Sequence, residues 1–448
     1  MAANQESLSA ILKEFYLGPV QEQLNNEMLI LQTMEKSTVD WNGRVAIIPL
    51  HVSRNNGVAI AAEGGALPPA GEQGYERLQV NARFLYGRFQ ITGPAMSAAG
   101  KGGANSFIGW MDAEMNKLVT DVKNAADEMM ISGGRCLGFI NSNADNAAAT
   151  TYEFFGNVEA LEVARLAVAG AGGELRLQIV RMDTYASMEN DNGGAANAFV
   201  TCASTDATGR TFTTGAGNAG ALDLDALPAG TASAVIVHAT QDDADCTAAV
   251  TYLDNQPVGV FGNLGLPAHF GVDRTTATGG GSAILQSTVI TNNLAAGQAR
   301  TDINLSRLQG TLDEVLVQSG HEPNVIYMNP VQRQMYSALF QLTAAGTSAV
   351  MNVSGEKSTH LNGGFSGLSY GSLPIKTSRH VPNGGVIFLK TDTWKLLELE
   401  SHAFADIDGD VLIRVQNTDA YEGYYRWYYN TVCTNPNQNA ILCGLTLS

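Results

Sequence analysis

The first third of the chain sets three segments in a fixed order. An N-terminal arm spans residues 1–40, a Gly- and Pro-studded excursion with strand character runs from Trp41 to Met96, and a long amphipathic helix covers about Ser106 to Ser132. A hairpin reaching that far from a domain cannot bury both faces against its own body, and a two-stranded ribbon alone in water is marginal. The order therefore predicts a neighbouring subunit for the hairpin to lie on, and assembly before catalysis.

Gly18-Pro19 divides the arm into two helical pieces, the second with Leu24, Met28 and Leu31 at helical spacing. From Arg44 the pattern becomes a strand, RVAIIPLHV, followed by a turn at Asn55-Asn56-Gly57, a second strand VAIAA and a flexible tip GGALPPAGEQG. The return, ERLQVNARFLYGRF, places Leu78, Val80, Ala82, Phe84 and Tyr86 on one face and Arg77, Gln79, Asn81 and Arg83 on the other. Glu63, Arg77, Arg83 and Arg88 are the candidate inter-subunit contacts of this extension. A solvated ribbon face is the competing reading, since exposed ion pairs contribute only ~0–1 kcal/mol each. In the long helix Ile108, Met111, Met115, Leu118, Val122, Ala125 and Met129 step by three and four, and at ~1.5 Å per residue it makes a spine of roughly 39 Å. Gly133-Gly134 stops it, and a shorter helix is expected from an N-cap at Asn157 to Gly170.

At 448 residues, 45% hydrophobic and only 15% charged, the chain has a sizeable core and little charged surface. Its net charge of −17 argues against gripping a phosphate backbone, which requires clustered Lys and Arg. Cys136, Cys202, Cys246, Cys433 and Cys443 lack CxxC spacing and suit buried thiols in a reducing compartment. MAANQESLSAILKEF lacks the layout of a secretory signal, and no apolar run approaches the ~20 residues that span a bilayer, so the expectation is a cytoplasmic product with no membrane partner.

From Met182 to Gly262 the composition shifts to one Arg (Arg210), no Lys and ten acidic residues, about half the net charge of the chain in under a fifth of its length. With short β-like runs such as AFVTCAS and ASAVIVHAT, the stretch reads as a β-rich insertion domain. After Gly279-Gly280-Gly281, a helix from Asn304 to Ser319 presents Leu305, Leu308, Leu312, Val315 and Leu316 and closes at Gly320. The strand NVIYM enters Asn329-Pro330, an N-cap with Pro at the first helical position, which opens a helix to about Leu342. Strands and turns fill the last hundred residues.

Several catalytic and binding patterns occur without the context their chemistry needs. Gly367-Leu368-Ser369-Tyr370-Gly371 matches the GxSxG elbow, with His380 or His402 and Asp392 as paper partners, but GSLPIKTS follows where a helix is required. GxGxxG at 215–220 has no entering strand and no helix leaving it. Asp242, Asp243 and Asp245, and Asp406, Asp408 and Asp410, lack the twelve-residue loop of an EF-hand. The aromatic run Tyr421, Tyr424, Tyr425, Trp427, Tyr428 and Tyr429 has only Arg426 beside it, which suits sheet packing better than base stacking. The seven His residues are dispersed, and no metal or cofactor is assigned.

The order of arm, extended loop and spine helix, then a helix leading into GHEPNVIYMNPVQRQMYSAL, resembles the major capsid protein of tailed bacteriophages, the Hong Kong 97 type of shell fold. GGFSGLSYGSLPIKTSRHVPNGGVIFLKTDTWKLLEL is similar to that family's β-rich return segment, and AYEGYYRWYYNTVCTNPNQNAILCGL to its last strands. The resemblance implies an α+β subunit: arm 1–40, extension loop 41–96, peripheral domain 97–181 with the spine helix, insertion 182–262, and axial domain with return strands 263–448. It implies hexamers and pentamers closing into an icosahedral head around double-stranded DNA, with a scaffolding protein, a portal and a cement or decoration protein as partners, in a virion assembled in the host cytoplasm. Some relatives crosslink through a Lys on the extension loop; residues 41–96 contain none, so packing, ion pairs or a cement protein must hold this shell. The absence of a long helical segment before the arm implies a separate scaffolding protein. The acidic insertion is expected to face away from packed phosphates. An encapsulin-type compartment, a Ser hydrolase using Ser369, and an adhesin or decoration module are the alternatives.

Overall fold

A computed structural model describes residues 29–30, 32–37, 40–55, 57–63, 65–94, 104–140, 151–170, 172–188, 199–208, 210–214, 232–237, 247–274, 283–291, 300–344, 368–406 and 411–447. Both arm helices, the GxGxxG run, the cluster Asp242, Asp243 and Asp245, and Asp408 and Asp410 lie outside the described residues.

The spine helix is Ala104–Ser132, 29 residues, about 43 Å at ~1.5 Å per residue. Toward its C-terminal end it buries Val122, Ala126, Met130 and Ile131, while Ala125 and Met129 are only half-buried, so the buried stripe sits one position round from the one the sequence predicts. The surface it packs on explains this. The helix lies against the strand Arg83–Thr92, where a Cβ on Gly87 would stand 2.6 Å from Val122 Cγ2, so Gly87 permits the close approach. Asp127 on the inward face accepts a hydrogen bond from the Ile30 backbone N–H at 3.0 Å and holds the end of the arm.

Beneath the helix, the 14-residue strand Ala420–Cys433 forms the axis of a sheet. It pairs antiparallel with Trp394–Phe404, with Arg83–Thr92 and with Ile413–Arg414, and Glu35–Ser37 adds in parallel to Trp394–Phe404. The C-terminal aromatic run lies in this axis and alternates as a strand must: Tyr425, Trp427 and Tyr429 are buried and Tyr424 and Tyr428 are not.

Six antiparallel strands close a barrel: Cys136–Ile140, Thr151–Gly156, Leu175–Arg181, Val200–Asp206, Thr211–Thr214 and Ser233–Val237. Three come from 136–181 and three from 200–237, so the sheet does not break at residue 182 and the acidic stretch does not close on itself as a separate β unit. The composition shift marks where charge collects; closure requires Ser233–Val237 to pair with both Cys136–Ile140 and Leu175–Arg181. Side chains fill the interior, including Tyr152, Phe154 and Phe212, and the helix Val158–Gly170 seals one side with Leu161, Ala164 and Val168. Asn157 caps that helix by accepting from the Ala160 N–H at 2.9 Å, as expected.

A third sheet is mixed, in the order Thr288–Thr291, Ala440–Cys443, Gly385–Leu389, Val325–Met328, Leu373–Thr377 and Ser369–Tyr370. Its central strands are apolar on both faces because both are covered. Ile326, Met328, Val386, Phe388 and Leu442 share a core with helices Leu305–Ser319 and Pro330–Ala344. Val325, Tyr327, Ile387, Leu389 and Ile441 belong to the core shared with the spine and the axial strand. Asn304 caps the first of these helices by accepting from the Arg307 N–H at 2.8 Å, and Gly320 ends it in the left-handed region at φ 72°. Thr311 takes a place on the buried face beside Leu308, Leu312 and Val315, while the predicted Leu305 and Leu316 stand exposed at its margins.

Candidate assembly surface

The extension is a hairpin only near its root. Val45–Ser53 pairs with Gly74–Asn81 in a register that sets Ile48 opposite Leu78 and Ala46 opposite Val80, with Trp41–Asn42 as a short third strand. These four side chains point inward onto Val272, Leu285, Leu397 and Val432. The root is pinned further by Trp41 Nε1, which donates to the Glu398 carbonyl at 3.0 Å.

Beyond the root the ribbon loses its ladder. The expected turn is present, with Asn55 Oδ1 accepting from the Gly57 N–H at 2.6 Å, but VAIAA is not a strand. The segment that would pair with it contains Pro68 and Pro69, which lack the N–H a ladder needs. Val58 and Leu67 are each 87% exposed and Ile60 is fully exposed. Half of the large apolar side chains that stand exposed among the described residues fall between Ile47 and Tyr86.

The return segment also differs from the single alternating ribbon predicted. At the buried Ala82, whose N–H donates to the Arg44 carbonyl at 3.0 Å, the chain leaves the hairpin and enters the axial sheet as Arg83–Thr92. Buried positions switch from even to odd: Gly87, Phe89 and Ile91 face inward, while Phe84 (42% exposed) and Tyr86 (54% exposed) face out, correcting the predicted face. Both outward rings meet Tyr428 edge-on, at 4.9 and 5.8 Å between centroids. Tyr86 donates to the Tyr428 hydroxyl at 3.1 Å, and that hydrogen bond, with burial, pushes the Tyr86 phenol up to about 12.

The four charged candidates do not form one cluster. Glu63 and Arg77 stand exposed on the hairpin. Arg88 pairs with Glu422 of its own chain, on the adjacent strand. Arg83 turns inward at the root and is half-buried, its proton affinity lowered chiefly by burial and raised in part by Asp254. The exposed apolar tip was missed in the sequence reading; its one signal was the Pro-Pro pair facing an apolar run.

The hydrolase constellation is not assembled. Ser369 lies in a two-residue strand followed by a turn at Gly371 and the strand Leu373–Thr377, with no helix to aim at an oxyanion. His402 lies in a different sheet, its Nδ1 2.6 Å from the Tyr425 hydroxyl. Burial pushes the thiols of Cys136, Cys202, Cys433 and Cys443 up to about 12, which leaves them protonated and unreactive. Among the described residues no three His, Cys, Asp or Glu side chains gather as a metal site, and no helix is long and apolar enough to cross a membrane.

No protein-family profile matches the sequence, and no curated protein matches it. Among solved structures, the capsid asymmetric unit of cyanophage A-1(L) superposes with a TM-score of 0.54 at 9% identity, over 99% of this chain and 100% of that one. The fold is that of a phage capsid subunit. It is consistent with the Hong Kong 97-type arrangement expected from the order of arm, extension and spine. Similar chains are also found in the capsid of a native GTA particle (TM-score 0.49, 8% identity, 99% of this chain and 98% of that one) and of cyanophage P-SCSP1u (TM-score 0.46, 9% identity, 100% and 96%).

Proposed function

We propose that this chain is the major capsid protein of a tailed bacteriophage, a structural protein rather than an enzyme, whose hexamers and pentamers close into an icosahedral head around double-stranded DNA. The observation that carries this is the end-to-end likeness to a cyanophage capsid subunit in a chain whose extension leaves its apolar tip uncovered. Covering Val58, Ile60 and Leu67 on a neighbour would contribute roughly 5–9 kcal/mol per subunit as an upper bound, at ~1.5–3 kcal/mol per side chain. Head-to-tail contacts that close by rotation make rings, and rings tile a shell. With a net charge of −17 the shell would contain DNA without gripping it, and packing and ion pairs would take the place of the Lys crosslink that the extension cannot make. A scaffolding protein, a portal and a cement protein are the partners such a head requires, and the virion, assembled in host cytoplasm, is its location.

Negative-stain electron microscopy of the protein expressed alone and with a scaffolding protein tests this. Closed shells, or rings that become shells when the scaffold is added, are expected. A monomer that assembles under neither condition would overturn the reading, and shells holding an enzyme cargo in place of DNA would turn it toward an encapsulin-type compartment.

A further inference from the structure

A cleft of about 290 Å³ opens where the hairpin's return strand passes the turn between Ala268–His269 and Val272–Asp273 and meets the axial strand. Its walls include Asn81, Arg83, His269, Phe270 and Asn430, and no carboxylate lines it among the described residues. Arg83 is half-buried there, and its Nε is sealed from solvent with no acceptor among the described residues. The charges around it leave a surplus. Arg44 and Arg135 both stand close enough to lower the proton affinity of Arg83, and the one carboxylate acting on it is Asp254. Arg135 already holds Asp254 at 2.5 and 2.6 Å through two nitrogens, so the one carboxylate acting on Arg83 is already engaged.

The remaining walls neither neutralise nor close the cleft. Burial holds His269 well below its ordinary range, hence neutral, and its Nε2 lies 2.8 Å from the Cys433 carbonyl. The Asn430 amide makes three hydrogen bonds, its Oδ1 accepting from the Val258 and Thr431 N–H groups and its Nδ2 donating to the Asn81 carbonyl. Phe270 sits in the left-handed region at φ 47°, a conformation an aromatic residue holds only at a cost of ~1–3 kcal/mol, and it is held there by the Gln79 N–H donating to its carbonyl at 2.8 Å. The cleft is thus small, rigid and positive. Its volume accommodates an oxyanion group together with the side chain that carries it, and Arg83 is the one charged residue lining it among the described residues, a guanidinium being a group that pairs with carboxylates.

We infer that this cleft is an oxyanion site and that it receives one carboxylate side chain from a second copy of this chain. A second copy is favoured because each chain carries 43 acidic against 26 basic residues and presents carboxylates in excess. That half of the inference rests on the capsid reading, whereas the oxyanion site stands without it.

Two measurements test it on the purified full-length chain. In the first, unassembled wild type and Arg83→Gln are melted across a series of inorganic phosphate concentrations at constant ionic strength. Wild type is expected to gain a saturable rise of about 1–2 °C that Arg83→Gln lacks; no saturable rise, or the same rise in both, overturns the site. In the second, particle yield is compared for wild type, Arg83→Gln, Arg83→Lys and the exposed Arg44→Gln. Arg83→Gln is expected to lower yield about tenfold, Arg44→Gln about threefold, and Arg83→Lys to keep an intermediate yield, with melting of the unassembled chain unchanged. Phosphate binding that depends on Arg83 while particle yield does not would overturn the second copy as the source and leave a free-anion site. If wild type forms no particles the capsid reading fails and takes the second-copy assignment with it, while the phosphate melt still decides whether the oxyanion site exists.

Discussion

The barrel and the extension hairpin are both built from antiparallel strands, and they treat their apolar side chains in opposite ways. In the barrel every strand is paired on both sides, and Tyr152, Phe154, Leu177 and Phe212 turn into an interior that the chain closes for itself. In the hairpin only the root finds cover, at Ile48, Leu78 and Val80, and past Ser53 the ladder stops with Val58, Ile60 and Leu67 in solvent. A closed sheet ends its own hydrogen-bonding needs. An open ribbon defers them to whatever it lies upon. The two regions therefore separate two properties that most small domains merge, the stability of one chain and its association with others.

Substitutions at the tip are expected to show the largest effect and the cleanest separation. Replacing Val58, Ile60 and Leu67 together by Ser should abolish closed particles by electron microscopy, while denaturant melts of the unassembled chain move by no more than ~0.5 kcal/mol, as for exposed positions generally. A loss of several kcal/mol would show that the tip folds back on its own chain and would erase the contrast with the barrel. Phe212→Ala is the mirror experiment. This fully buried ring stacks on Tyr152 at 5.5 Å, and its truncation should cost ~3–5 kcal/mol in the same melt.

Leu78→Ala probes the boundary between the two behaviours. The side chain is fully buried at the hairpin root, so a loss of ~2–4 kcal/mol is expected, together with fewer particles because the whole extension is aimed from this point. Melts that match wild type would mean that the root, like the tip, is held only by a neighbour.

What could be read from the sequence follows the range of the interaction that sets it. Asn157, Asn304, Gly320 and Asn329-Pro330 begin or end helices through contacts two to four residues away, and each was legible. The spine was legible as a helix, but its buried stripe was not, because Gly87 on a distant strand decides which side chains meet the sheet. Phe84 and Tyr86 were assigned to the wrong face for a similar reason. The switch at Ala82 is made by the chain changing partners, from Val45–Ser53 to Ala420–Cys433, and nothing in the alternation itself announces it. Barrel closure joins strands about a hundred residues apart, so a change in composition at Met182 suggested a boundary that the hydrogen bonds do not respect. Of the four charged candidates, Arg88 has a partner within its own chain that was not legible, because Glu422 is adjacent only once the strands pair.

Two ion pairs, one in each region, give the smallest expected effect. Arg88–Glu422 crosses between strands in the sheet that continues the extension, and Glu162–Arg165 lies on the barrel helix with Thr205 Oγ1 also donating to Glu162 at 2.6 Å. Both are partly exposed, and each should contribute ~0–1 kcal/mol. They differ in how acid reveals them. The Arg165 hydrogen bonds, with the Thr205 hydroxyl, hold the Glu162 carboxyl at about 2, below its usual 4.5. A depressed carboxyl stabilises the fold fully above pH 4.5 and progressively less as the pH falls toward 2, because the unfolded chain takes up that proton first. Glu162→Gln should therefore flatten part of the acid limb of a denaturant-midpoint profile between pH 4.5 and 2, and leave its shape above pH 5 unchanged. Glu422→Gln should lower the midpoint slightly if at all and is better read in particle yield, since a pair on the outward face of the sheet is placed to be covered by a neighbour. If Glu162→Gln lowered particle yield as well, the barrel would also be an assembly surface, and the division of labour between the two regions would fail at that helix.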